Sequence, residues 1–274
     1  MNRGLDGGSQ GAEVPALPAP ERVKVAAVVV SHGNARELDR LLPALAPQVD
    51  ELVVVANAPG SVGELPASAV LVANPRPVGF GANVNRGVSR TSAELVCAVN
   101  PDAVPREGAV AALAGFLEQN PRAGVAGPRM LYPDGSVQPS RRRFPTVAGT
   151  IVRRTPLRRL FDPHKLQRRH YYLGDTPTEP VPADWMLGGF LLLRRAMLDE
   201  LHGFDEGFFL YGEDIDLCYR AALAGWERWY VPAAVVDHDH QAVTDKRLLT
   251  RRTLWHWRGI LRFVRKHPER LLAR

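Results

Sequence analysis

Residues 23–30, VKVAAVVV, form a short apolar run rich in β-branched side chains that stops at Ser31-His32-Gly33-Asn34. A run of that length bounded by a polar turn predicts a buried strand opening into a loop. Leu38, Leu41, Leu42 and Leu45 follow at helical spacing, so a helix returns along the strand. Further strands are predicted at 51–55, 69–72 and 94–99, with a helix at 81–89 between the last two. Strands alternating with helices imply an α/β fold whose central sheet is mainly parallel and flanked by helices. Ligands of such sheets sit beyond the carboxyl ends of the strands. Ser31, His32 and Asn34, then Ala56 and Asn57, then Asn100 to Ala103 therefore converge on one edge.

The pattern continues with a helix near 106–119 and a strand near 124–126, then loosens over 128–182, where proline and arginine are frequent. That stretch is expected as long loops with some short helix, covering the ligand edge. Regularity returns at 185–193, in a helix over 213–224 stopped by Gly225, and in a strand near 227–231. Residues 1–22 read as a flexible leader, 23–240 as the main domain and 241–274 as a basic helical extension. With 274 residues, 45% of them hydrophobic, the chain can bury a large core. No run approaches the roughly 20 apolar residues that span a bilayer. The leader lacks the basic start and apolar run of a signal peptide, so a cytoplasmic protein is expected. Cys97 and Cys218 sit in apolar or periodic segments and are expected as buried packing residues.

The net charge of +6 is concentrated in Arg141, Arg142 and Arg143, in the arginines between 153 and 169, and in the tail. Such charge suits nucleic acid, anionic lipid or a polyphosphate ligand. No recognised nucleic-acid-binding motif accompanies it, so nucleic acid is not expected as a partner. The tail mixes Leu254, Trp255, Trp257, Ile260, Leu261 and Phe263 with basic residues. Such a helix can lie on an anionic membrane on the inner face of the cell, or pack on the domain with a solvated basic face. The sequence is compatible with a homodimer and carries no signal for one.

Three constellations carry chemistry. Asp102, in Asn100-Pro101-Asp102-Ala103, follows an apolar strand and projects at the ligand edge, where a carboxylate can hold Mg²⁺ or Mn²⁺ together with substrate phosphates, or simply cap a turn. Glu213, Asp214 and Asp216 crowd the start of one helix after the aromatic-rich loop 203–211. Acids favour helix N-termini, and an ionised carboxylate in a restricted pocket can also serve as a general base. His238 and His240 alternate on a strand and can share a face. A fourth stretch, Gly79-Phe80-Gly81-Ala82-Asn83-Val84-Asn85, begins like the dinucleotide fingerprint, but Val84 stands where the third glycine belongs. It offers flexible backbone at a helix start, suited to nucleotide or phosphate.

In this order the motifs SHGN, GFGANVNRG, NPDA, DWMLGG, GFDEGFFLYGEDIDLCYRAALAGW and VPAAVVDHDH resemble glycosyltransferase family 2, inverting enzymes of the GT-A fold, and within it the rhamnosyltransferase-like branch. The resemblance implies a Rossmann-like nucleotide-sugar domain and a divalent metal, Mg²⁺ or Mn²⁺, on Asp102, with His238 completing the site. It implies Asp214 as the base that deprotonates the acceptor hydroxyl, with Glu213 positioning the acceptor. The donor nucleotide falls to Ser31, His32, Asn34, Asn57, Gly79, Phe80, Asn85, Asn100 and Asp102. The sugar and acceptor pocket falls to Asp184, Trp185, Gly188, Gly189 and Glu213. Two positions depart from the family pattern: Ala56 replaces the usual Asp after the second strand, and Pro77 replaces the usual Asn before the Gly-Phe pair. Recognition of the donor base is the function these two positions leave unassigned.

The donor this implies is dTDP-L-rhamnose, and the acceptor a cell-envelope glycan or a polyprenyl-diphosphate-linked sugar. A galactofuranosyl or hexosyl donor of the same family, or a catalytically silent nucleotide-sugar-binding protein, are the alternatives. Asp102 and Asp214, both present, speak against the silent protein.

Overall fold

The computed structural model describes residues 22–145, 170–239 and 251–271. The leader up to residue 21, the arginines from 153 to 169 and His240 lie outside the described residues. In chain order the strands are β1 (Val25–Ser31), β2 (Glu51–Ala56), β3 (Ala69–Ala73), β4 (Leu95–Val99), β5 (Ala103–Pro105), β6 (Ala123–Leu131), β7 (Arg141–Arg142), β8 (Val181–Pro182), β9 (Trp185–Met186), β10 (Phe190–Arg194) and β11 (Glu227–His238). The helices are α1 (Ala35–Leu45), α2 (Phe80–Val88), α3 (Ala109–Gln119), α4 (Arg195–Glu200), α5 (Glu213–Leu223) and α6 (Arg251–Lys266).

The central nine-stranded sheet runs β3-β2-β1-β4-β10-β6-β11-β5, with β8 beside β11. Strands β1, β2, β3 and β4 are parallel, and β6 and β11 share their direction. Strand β10 runs the other way between β4 and β6, and β5 and β8 run antiparallel to β11. The sheet is thus mostly parallel, as its alternating sequence predicts. Every residue of β1 is buried because both faces are covered. Ala27 and Val29 pack toward α1 and α3, whereas Val28 and Val30 pack toward α2 and α5. Burying one such aliphatic side chain contributes about 1.5–3 kcal/mol.

Several elements differ from the sequence reading. Strand β6 continues through Met130 and Leu131, residues expected in a loop, because both are buried. Strand β11 is one twelve-residue strand with a register shift between Val231 and Val235. Pro232 lies within that shift and has no N–H to give the ladder, which accounts for the interrupted periodicity. The regular segment after Asp184 divides into β9 and β10 at Gly188-Gly189. Because β10 is reversed, its start falls at the same edge as the carboxyl ends of β1, β4, β6 and β11.

Helix α6 packs on the domain. A side chain at Gly259 would place its Cβ 2.2 Å from the Tyr211 carbonyl oxygen, so only glycine permits this contact. Phe263 and His267 are buried beside it. Lys266 Nζ bonds Asp205 at 2.7 Å and Asp216 at 3.0 Å, and His267 Nε2 reaches Asp216 at 2.8 Å. Asp216, fully buried, is therefore the anchor of α6, not a third acid of the ligand edge. On the opposite side of α6, Leu254, Trp257 and Leu261 are exposed.

Candidate active site

Asp102 follows β4 and leads into β5. Its backbone carbonyl accepts from Asp239 N–H at 3.1 Å, which ties the turn to the end of β11. His238, the last residue of β11, turns Nε2 toward Asp102 Oδ1 at 3.5 Å. Its Nδ1–H donates to Gln138 Oε1 at 2.7 Å in a buried contact. That bond fixes the ring with Nε2 facing the Asp102 carboxylate, a placement in which one nitrogen and one oxygen could share a cation. The side chain of Asp102 is 29% exposed, so the pair opens to solvent and substrate. Mg²⁺ and Mn²⁺ commonly take one or two protein donors and complete their shells with water and phosphate. Among the described residues no group of three or more His, Cys, Asp or Glu side chains forms an all-protein cage. Two donors on an open edge thus fit a metal shared with a diphosphate.

Gly189 lies against this pair: a Cβ there would meet His238 Nε2 at 3.2 Å. The Gly189 carbonyl accepts from Asn100 N–H at 2.8 Å, which holds the β10 start beside the β4 end. Gly188, one residue earlier, donates its N–H to Asp214 Oδ2 at 3.2 Å. The two glycines therefore separate a carboxylate–imidazole pair from a second acidic pair.

That second pair opens α5. Tyr211 and Gly212 both have positive φ, 70° and 98°, which turns the chain sharply into Glu213 and Asp214. Burial raises the Asp214 carboxyl pKa, while N–H groups of Ile215 and Gly188 and the charge of Arg142 pull it back. Glu213 is buried, and its Oε2 has no hydrogen-bond partner among the described residues. Burial, reinforced by the Asp214 charge, pushes Glu213 up to about 8. Both shifts run upward, and Glu213, the more deeply buried of the two and without a partner for Oε2 among the described residues, is the one that holds its proton the more firmly.

The nucleotide residues expected at this edge divide into two sets. His32 is exposed and Asn34 half-buried on the loop after β1, and Asn100 is half-buried after β4. Ser31 is buried and donates to the Ser61 carbonyl at 2.5 Å. The Asn57 amide is engaged twice with the Val78 backbone, at 2.9 and 3.0 Å, and bonds Asn74. Gly79 and Phe80 face the loop before α5: Phe80 N–H donates to the Phe209 carbonyl, and a Cβ on Gly79 would lie 2.3 Å from the Phe208 carbonyl oxygen. Asn85 bonds both backbone groups of Phe204 at 2.9 Å. Gly79, Phe80 and Asn85 thus brace the 203–209 loop.

Asp184 accepts from Phe144 N–H at 2.8 Å, and the buried Trp185 donates its indole N–H to the Arg143 carbonyl at 2.8 Å. Together they fasten β7 over the edge. Arg142 of β7 then stacks 5.1 Å from the Trp185 ring, within electrostatic reach of Asp214. Gln138 escaped the sequence reading and Arg142 entered it only as part of a basic run, since both lie in the stretch of weak periodicity. The paired apolar strand β9 opposite β7 is the only local hint of their placement.

An α/β sheet with an open carboxylate–imidazole pair and a second acid pair, buried Glu213 and half-buried Asp214, at its carboxyl edge has the form of a GT-A glycosyltransferase. Residues 25–257 match the family described as Glycosyltransferase like family 2, and the chain belongs to that family. It is 34% identical over 242 residues to a Mycobacterium tuberculosis protein named N-acetylglucosaminyl-diphospho-decaprenol L-rhamnosyltransferase, covering 78% of this chain and 75% of that one. It is 36% identical over 94 residues, 33% of each chain, to the rhamnosyltransferase WbbL of Escherichia coli. Among solved structures, GalNAc-T7 with UDP, GalNAc and Mn²⁺ aligns with a TM-score of 0.62 at 15% identity, over 93% of this chain and 52% of that one. A mannosyltransferase from Pyrobaculum calidifontis with GDP-mannose and Mn²⁺ aligns at 0.55 and 16%, over 90% of this chain and 65% of that one. The chain thus spans between half and two thirds of these solved structures, and the likeness to them is one of fold. No helix among the described residues is long and apolar enough to cross a membrane.

Proposed function

We propose that this glycosyltransferase moves L-rhamnose, with inversion, from dTDP-L-rhamnose to a hydroxyl of a sugar carried on polyprenyl diphosphate. The observation that carries the reading is the Gly188-Gly189 turn, with Asp214 against its first residue and His238 and Asp102 against its second. A donor diphosphate on one side and an acceptor hydroxyl on the other then meet across two residues of backbone. The choice of rhamnose and lipid carrier is supported by the name of the mycobacterial relative.

Asp102 and His238 would hold a Mg²⁺ or Mn²⁺ ion, which when bound neutralises charge on a departing nucleoside diphosphate. Asp214 accepts the proton of the attacking hydroxyl as the new bond to the anomeric carbon forms and the bond to the diphosphate oxygen breaks. Glu213, protonated, donates a hydrogen bond that fixes the acceptor hydroxyl beside Asp214. Arg142 keeps the Asp214 charge tolerable in a half-buried site. Helix α6 rests on an anionic membrane surface through its exposed apolar stripe, which brings the site to a lipid-linked substrate.

The test is a transfer assay with purified protein, Mn²⁺, a lipid-diphosphate-linked N-acetylglucosamine and a panel of nucleotide sugars. Transfer is expected from dTDP-L-rhamnose above all others. Preference for a galactofuranosyl or hexosyl donor would replace the sugar assignment. Donor binding without any transfer would favour a silent binding protein.

A further inference from the structure

A cavity of about 260 Å³ lies between the loop before α5 and helix α6, lined by Gly207, Phe208, Phe209, Trp255, Arg258 and Arg262. Its wall is partly apolar: the Phe209 and Trp255 rings lie 4.9 Å apart, and Phe209 is 43% exposed. Its cations are unequally engaged. Arg262 pairs with Asp205 at 2.7 Å and lies 5.3 Å over the Phe208 ring. Arg258 is exposed and makes no hydrogen bond or ion pair with any described residue. A guanidinium unmatched by acid beside an aromatic wall suits an anion with an apolar body.

The cavity is linked to the start of α5 by one wall residue. Its wall residue Phe208 lies 3.1 Å from where a Gly212 side chain would begin, and Gly212 immediately precedes Glu213 and Asp214. Asp214 is not among the residues that line the cavity, so a phosphate held there leaves the base free for a sugar hydroxyl. The exposed stripe of Leu254, Trp257 and Leu261 runs next to Arg258 on the helix surface, so an apolar chain leaving the cavity meets an apolar track.

We propose that this cavity binds the diphosphate and first isoprene units of the lipid-linked acceptor, with Arg258 pairing the phosphate and Phe209 and Trp255 covering the chain. The proposal rests on the acceptor class given above. Its test is calorimetric titration of the full chain with farnesyl diphosphate, farnesol and inorganic pyrophosphate. Farnesyl diphosphate is expected to bind about tenfold or more tightly than either fragment, and Arg258→Glu to weaken it about tenfold or more. Arg265→Glu, on the same helix outside the cavity, is expected to change it less than about twofold. Asp102→Ala is expected to leave it unchanged. Equal losses in Arg258→Glu and Arg265→Glu, loss in Asp102→Ala, or no binding at all would each overturn the cavity assignment. The two readings fail separately. Transfer to the lipid acceptor with farnesyl diphosphate binding untouched by Arg258→Glu sinks the cavity alone, whereas Arg258-dependent binding without rhamnosyl transfer sinks the sugar assignment alone.

Discussion

Gly188 donates its N–H to Asp214 Oδ2 at 3.2 Å, and a side chain at Gly188 would begin 3.3 Å from the Asp214 Cβ. The contact joins two elements distant in sequence, the start of β10 and the start of α5. It orients the Asp214 carboxylate and offsets part of the penalty for burying its charge. Its neighbour Gly189 faces His238, so one turn of backbone sets the spacing between the two acidic pairs.

Replacing Asp214 by Asn preserves the shape of this contact and removes the proton acceptor. Glycosyl transfer is expected to fall by about 100-fold or more, the usual range for loss of a general base. Donor affinity, measured by thermal shift, should stay near that of the unaltered chain. Turnover within a few-fold of normal would show that another group takes the proton.

Gln138 fixes which nitrogen of His238 faces Asp102. In Gln138→Leu the imidazole loses this orienting acceptor. Loss of such a partner typically weakens a metal site by about 10–100-fold. Titration of Mn²⁺-dependent donor binding should show that loss, and Asp102→Ala should abolish the dependence altogether. Unchanged Mn²⁺ dependence in both variants would remove Asp102 and His238 from the metal site.

Glu213 has a folded-state value of about 8 against an ordinary 4.5, so folding takes up a proton between those pH values. The folded state binds more protons than the unfolded one in that window, and stability falls as pH rises through it. Glu213→Gln removes this loss. The variant should melt about 2 °C or more above the unaltered chain at roughly pH 8.5, with a smaller gap near pH 5. Activity should decline above about pH 8 as Glu213 ionises beside Asp214. That decline should be absent from the residual activity of Glu213→Gln. A profile flat to pH 9 or above would show that Glu213 is not held protonated.

What could be read from sequence follows a physical divide. Strand β1 and the turn after it were legible because VKVAAVVV is apolar on both faces and ends in polar residues. The motifs that hold Asp102, Asp214 and His238 stand out locally, whereas the roles expected of them came from the resemblance to the family. Gln138 was not, since it acts on His238 across 100 residues from a segment with no periodicity. Asp216 looked like a third acid of the site because it shares the first turn of α5, yet it faces Lys266 and His267 fifty residues on. Spacing along one helix states which residues are neighbours, not which distant element covers them. The same limit applied to α6, where amphipathicity alone left both membrane contact and domain packing open.

The two faces of α6 differ, one packed on the domain and one exposed, and a pair of substitutions tests the membrane contact proposed for the second. Gly259 and Phe263 fasten the helix beneath Tyr211 and Gly212, whereas Leu254, Trp257 and Leu261 point outward between basic residues. Gly259→Ala forces a methyl group into the Tyr211 carbonyl, and overpacking of this kind costs about 1–3 kcal/mol. Because Tyr211 leads directly into Glu213, that variant should lose both stability and transfer to a water-soluble acceptor. Trp257→Glu together with Leu261→Glu should leave melting temperature and soluble-acceptor transfer unaltered. It should reduce co-sedimentation with vesicles of anionic phospholipid, an interaction expected to weaken as salt rises. Equal vesicle binding by the double variant and the unaltered chain would assign membrane contact elsewhere.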